Sequence, residues 1–149
     1  MLLVWTLAAG IVSCATSAGD ETATRDADSS RALAEGREVD LGQQWGIEIT
    51  SIRLTAQNHM IDYRYRVLDS DKATDLFKRQ IKPHLIHQET GKVLAVPETA
   101  KLGPLRNSNI PQAGKIYWMF FGNADSLVKA GDRVTVVIGE FRVEDLVVE

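Results

Sequence analysis

Only one cysteine, Cys14, occurs in 149 residues, so no intramolecular disulfide is available and that cysteine needs another explanation. There is no Gly-x-Ser-x-Gly elbow, and with Cys14 set aside no cysteine is left to act as a nucleophile. No glycine-rich phosphate loop precedes a helix. Nothing in the sequence therefore argues for an enzyme. A bilayer-spanning run is missing as well. The eleven residues from Leu2 to Val12, apolar or small apart from Thr6, are too short to cross a hydrocarbon core of roughly 30 Å as a helix.

Charge of a single sign is also lacking where a nucleic acid would need it. Residues 15–40 carry seven acids against three arginines, a net −4, which leaves 13 acids and 14 bases, a net +1, on residues 41–149. A nearly neutral domain has no field to attract a polyanion, and nucleic acid is not an expected partner.

The short apolar stretch has the length of a signal-peptide core. It runs directly into Ile11-Val12-Ser13-Cys14, which resembles the lipobox of bacterial lipoproteins, although Met1-Leu2-Leu3 carries none of the basic residues that open most signals. The resemblance implies cleavage behind Ser13, an export signal at 1–13 and acylation of Cys14. The bilayer is then the first partner, each buried methylene contributing about 0.8 kcal/mol. Ala15 in place of Asp implies, for a Gram-negative host, sorting to the outer membrane, on its periplasmic side or at the cell surface. The alternatives are an ordinary secretory signal cleaved near Ala18 and an uncleaved anchor.

Residues 14–40 read as a tether. Past Cys14 they are Ala, Ser, Thr, Gly, Asp, Glu and Arg with no aromatic residue and only Leu33 and Val39 as branched aliphatics, a composition that buries too little apolar surface to offset its ordering entropy. A flexible coil of this length holds a domain on the order of 30 Å from the lipid.

From Leu41 onward the pattern changes to period two, and 109 residues are enough for one hydrophobic core. Ile47 and Ile49 share a face, with Ile52 and Leu54 following after a phase slip at Thr50-Ser51 that predicts a bulge. Ile61, Tyr63, Tyr65 and Val67 alternate with Asp62, Arg64 and Arg66. Asp69-Ser70 offers an N-cap for a short helix over about 71–78. Strands are predicted over 81–88, 92–96, 115–121, 133–138 and 140–148. Glu89-Thr90-Gly91 reads as a hairpin turn, and Gly139-Glu140 as a bulge or sharp corner. The sum is a mainly β domain over 41–149, an antiparallel immunoglobulin-like sandwich of six to seven strands with one short helix. The hairpin from Val128 through Val143 is similar to small immunoglobulin-like domains on bacterial lipoproteins. An open barrel is the alternative.

Candidate sites are few. His84 and His87 could share a metal on a helix, but three positions apart on a strand they point to opposite faces, leaving them weak ligands. His59, Met60 and Met119 would form a copper-type set only if the fold gathered them. Asp69, Asp71 and Asp75 fail as a calcium loop, because Ala73, Thr74 and Gln80 stand where an oxygen ligand, a glycine and a closing glutamate belong. They fit the first turn of a helix better.

The 18 residues from Pro97 to Gly114, with Lys101 and Arg106, form a loop long enough to suggest a binding role. The strand after it, Lys115 to Phe121, is apolar on both faces. Ile116, Trp118 and Phe120 form one face; Tyr117, Met119 and Phe121 form the other. A sandwich strand has one core face. The expectation is that Trp118 enters the core while Tyr117 and Met119, with Lys101 and Arg106, make an exposed binding surface, unless the helix bearing Leu76 and Phe77 covers them.

The expected function is a membrane-tethered, non-enzymatic cell-envelope binding or accessory module with no cofactor, its partner an envelope protein or a small ligand. The alternatives are a metal-handling lipoprotein for copper or zinc and, third, a small hydrolase.

Overall fold

A computed structural model describes residues 40–149; the export segment, Cys14 and all of the tether before Asp40 lie outside the described residues. Residues 40–45 are helical and seat Leu41 in the core. Strands β1 (Ile47–Thr55) and β2 (Met60–Val67) precede the short helix α1 (Ser70–Ala73), which tightens into a 3-10 turn at Thr74–Phe77. Next come β3 (His84–His87), β4 (Val93–Ala95), β5 (Glu98–Thr99), β6 (Gly103–Pro104), β7 (Ile116–Gly122), β8 (Arg133–Ile138) and β9 (Phe141–Val147).

The principal strands make two antiparallel sheets, in orders β1-β2-β7 and β4-β3-β8-β9, while β5 and β6 pair only with each other. Neither sheet closes into a barrel. The order is that of an immunoglobulin-like sandwich: the β1–β2, β3–β4 and β8–β9 hairpins each stay within one sheet, while the connections from β2 to β3 and from β7 to β8 cross between sheets.

Pairing explains the faces. The β2 alternation predicted Tyr63 and Tyr65 inward, and both are fully buried. On one side Ile52 pairs with Tyr63 and Ile49 with Tyr65; on the other Tyr63 meets Met119, Tyr65 meets Tyr117, and Ile61 meets Phe121. The second sheet contributes Leu85, Val134, Val136, Ile138, Phe141 and Val143 to the same core. Each such side chain contributes about 1.5–3 kcal/mol of transfer free energy. Leu76 and Phe77 cap the open side, Phe77 meeting Tyr117 edge-on at 4.7 Å between ring centroids.

The predicted slip at Thr50-Ser51 is present, as a register shift between Ile49 and Ser51. Gly139-Glu140 is, contrary to expectation, a two-residue hairpin turn, since Ile138 pairs directly with Phe141 and Gly139 adopts φ +65°. The bulge of that hairpin sits further in, between Val134 and Val136, opposite Asp145 at φ +57°. The segment from Pro97 to Gly114 is not structureless either. It folds into the β5–β6 hairpin, and residues 105–107 then run along β7, with Phe120 donating to the Leu105 carbonyl at 2.9 Å and Asn107 to that of Trp118 at 3.0 Å.

Two buried polar devices fix the ends of the first sheet. Gly46 has φ +64°, and a Cβ there would lie 2.7 Å from the carbonyl oxygen of Asp69, while its own carbonyl accepts from the N–H groups of Leu68 and Asp69. Only glycine fits such a contact. At the other end Asn123, fully buried, donates to the carbonyls of Asn58 and Val128 at 2.8 and 2.9 Å and accepts from the Val128 N–H at 2.9 Å. It ties the 56–58 turn, whose three residues all have positive φ, to the segment entering β8.

Candidate functional site

Tyr117 and Met119 are 6% and 1% exposed and face the core, so the expected exposed surface is inverted. Trp118 and Phe120 instead lie half-buried on the outer face, 5.1 Å apart, beside the more exposed Ile116. The cause is register. Once β7 pairs with β2, its odd-numbered residues must join the Tyr63 and Tyr65 face. The Tyr117 hydroxyl accepts from the Gln112 N–H at 2.9 Å and donates to the Ile110 carbonyl at 3.3 Å, so the ring anchors the loop. Lys101 stands exposed in the turn between β5 and β6.

Arg106 is the expected site residue that the fold does place at a cleft. It is 7% exposed, and Nη2 donates to the Lys78 carbonyl at 2.8 Å, which binds the loop to the exit of the 3-10 turn. Nη1 is buried with no hydrogen-bond partner. Burial pulls the guanidinium below its ordinary pKa, and the nearby Tyr65 phenol opposes that shift. Tyr63 and Tyr65 are themselves raised far above the usual phenol range, foremost by burial, so both stay neutral.

Arg106 borders a cleft of about 250 Å³ whose wall includes Arg79, Lys82, Pro83, Glu98 and Pro104. Three bases face one acid there. Arg79 and Lys82 were missed in the sequence, because nothing local marks them: they meet Arg106 only when the segment entering β3 packs against the β5–β6 hairpin. No serine, threonine, cysteine or histidine lines this cleft. A larger, more open groove of about 590 Å³ runs past His59, Lys92, Gly122, Asn123 and Asp125. Its one base and one acid balance, and its Asn123 amide is spent on backbone. The smaller cleft therefore has the stronger electrostatic demand.

The histidines separate as alternation requires. His84 is half-buried on one face of β3, whereas His87 is 2% exposed on the other. Met119 is enclosed by the core and His59 lies in an exposed turn, so the copper-type set is not assembled. Asp69 accepts from the N–H groups of Asp71 and Lys72 as the cap of α1, and Asp75 pairs with Lys78 at 2.7 Å, as helix-terminal acids. His87 is different. Nδ1 lies 2.8 Å from Thr90 Oγ1, and Nε2, without a hydrogen bond of acceptable geometry, lies 3.3 Å from Asp132 Oδ2.

Among the described residues no helix is long and apolar enough to cross a membrane. No family model, curated protein or solved structure matches the chain. The described residues define a class, an immunoglobulin-like antiparallel sandwich carrying a basic cleft.

Proposed function

We propose that this chain is a membrane-tethered, non-enzymatic binding module of the cell envelope, anchored through acylated Cys14, whose cleft at Arg79, Lys82 and Arg106 takes a small anion. The observation carrying the binding role is the buried Arg106 guanidinium, half satisfied by the Lys78 carbonyl and half without a partner. A buried charged group left partly unpaired costs free energy, and an anionic ligand recovers that cost through charge-assisted hydrogen bonds. Carboxylate or phosphate oxygens suit the chemistry, with Arg79 and Lys82 at the mouth adding attraction.

Two experiments address the two halves of this reading. Inorganic phosphate titrated into the full chain in detergent should shift the Arg106 Nε–Hε resonance in a saturable way. An Arg79→Gln/Lys82→Gln variant, altered only at exposed positions, should weaken that response at least about tenfold, as expected for losing charged hydrogen bonds. Absence of saturation, or equal affinity in the variant, would remove the cleft from consideration. For the anchor, Cys14→Ser should move the protein from the detergent phase to the aqueous phase. An unmodified terminus near Ala18 in the wild-type protein would contradict acylation.

A further inference from the structure

Beyond the cleft, His87, Glu89 and Asp132 each place one ligand atom within 4.8 Å of the others, a grouping distinct from the anion site. His87 ends β3, Glu89 lies in the following turn, and Asp132 sits immediately before β8. Antiparallel pairing of β3 with β8, with His87 opposite Val134, brings them together. His87 is therefore held by sheet pairing and Asp132 by backbone hydrogen bonds to Lys129 and Val148, while Glu89 rides on the turn.

The histidine has the features of a ligand awaiting a cation. It is 2% exposed, and its buried Nε2 has no hydrogen-bond partner. With the proton on Nδ1 donated to the Thr90 hydroxyl 2.8 Å away, the Nε2 lone pair is left unused, 3.3 Å from Asp132 Oδ2 and in no hydrogen bond with it. Two buried acceptors this close, with no proton shared between them, are stabilised by a positive charge that both can ligate. The separation of 3.3 Å between Nε2 and Asp132 Oδ2 matches one edge of a zinc tetrahedron, roughly 3.3–3.4 Å for bonds of about 2.0–2.1 Å. Supporting hydrogen bonds are in place too: Thr90 steadies Nδ1, and the Lys129 N–H donates to Asp132 Oδ2 at 2.7 Å.

Thr90, His87 and Asp132 also line up like a nucleophile, base and orienting acid. Against that, Thr90 Oγ1 accepts from the Lys92 N–H at 3.4 Å within its own turn, and the Asp132 contact lacks hydrogen-bond geometry.

We infer that His87 Nε2, Asp132 and Glu89 form a binding site for a divalent transition cation of the zinc class, with a water in the fourth position. One imidazole and two carboxylates neutralise the dication. The half-buried Asp132 and buried His87 supply a preformed pair, and the exposed Glu89 closes onto the ion from solvent.

Zinc ion titrated by calorimetry into the untagged full chain in detergent should show one saturable equivalent, and the His87 imidazole nitrogen should shift with the same stoichiometry. Glu89→Gln and Asp132→Asn should each weaken binding by about tenfold or more, and Thr90→Val by about tenfold. The Glu89 change is exposed and leaves the fold intact even if His87 substitutions do not. No saturable zinc uptake, or uptake unaffected by both carboxylate substitutions, would overturn the site. So would a zinc-saturated protein whose His87 resonances do not move.

Discussion

Substituting serine for Tyr117 should destabilise the domain by about 3–5 kcal/mol, a large share of the 5–15 kcal/mol available to a domain of this size. The ring is 6% exposed, stacks on Tyr65 at 6.2 Å and meets Phe77 edge-on. Its removal leaves a cavity between a sheet and the 3-10 turn. It also strands the Gln112 N–H and the Ile110 carbonyl, which now bond to the hydroxyl. Chemical denaturation checks this directly, with Trp118→Ser on the outer face as a companion that should cost much less. A loss under about 1 kcal/mol for Tyr117→Ser would mean that the ring is not packed as described.

The second large effect is expected at Asn123. Alanine there removes all three hydrogen bonds at once and leaves the carbonyls of Asn58 and Val128 and the Val128 N–H without their partner. Each unsatisfied buried group costs about 1–3 kcal/mol, so a total near 3–5 kcal/mol is expected once partial relaxation is allowed. Aspartate should be no better, because it offers no N–H donor and adds a buried charge. Equilibrium unfolding gives the magnitude, and amide exchange at Val128 locates it. An unchanged exchange rate at Val128 would show that the side chain does not hold that segment.

The sequence made most strands legible because their two faces differ. In β2 the inward tyrosines alternate with Asp62, Arg64 and Arg66, and one register alone buries the apolar set. The slip at Thr50-Ser51 was visible for the same reason: the apolar phase changes there. β7 offered no such contrast. Ile116, Trp118 and Phe120 are as apolar as Tyr117, Met119 and Phe121, so alternation could not choose between them. The choice came from pairing Tyr65 with Tyr117, residues separated by a long stretch of sequence and joined only in the fold.

The sites follow the same division. Alternation correctly separated His84 from His87, since that is a property of one strand. The partners of His87 depend on β3 lying beside β8, and the neighbours of Arg106 depend on a loop packing against the exit of a 3-10 turn. Arg106 stood out in the sequence because it lay in a long irregular segment. Arg79 and Lys82 had no such marker, and Lys101, chosen by the same reasoning as Arg106, remains an exposed charge at a hairpin tip.

The segment that follows β6 has one more consequence. By hydrogen bonding alongside β7 at Leu105 and Asn107, it occupies a sheet margin that would otherwise display a row of unused backbone donors and acceptors next to Trp118 and Phe120. An open margin with aromatic neighbours is a template for strand addition between copies. Pro104 and Pro111 flank the covering stretch and have no N–H with which to prolong a ladder. The loop thus makes this side of the sandwich a poor seed for self-association.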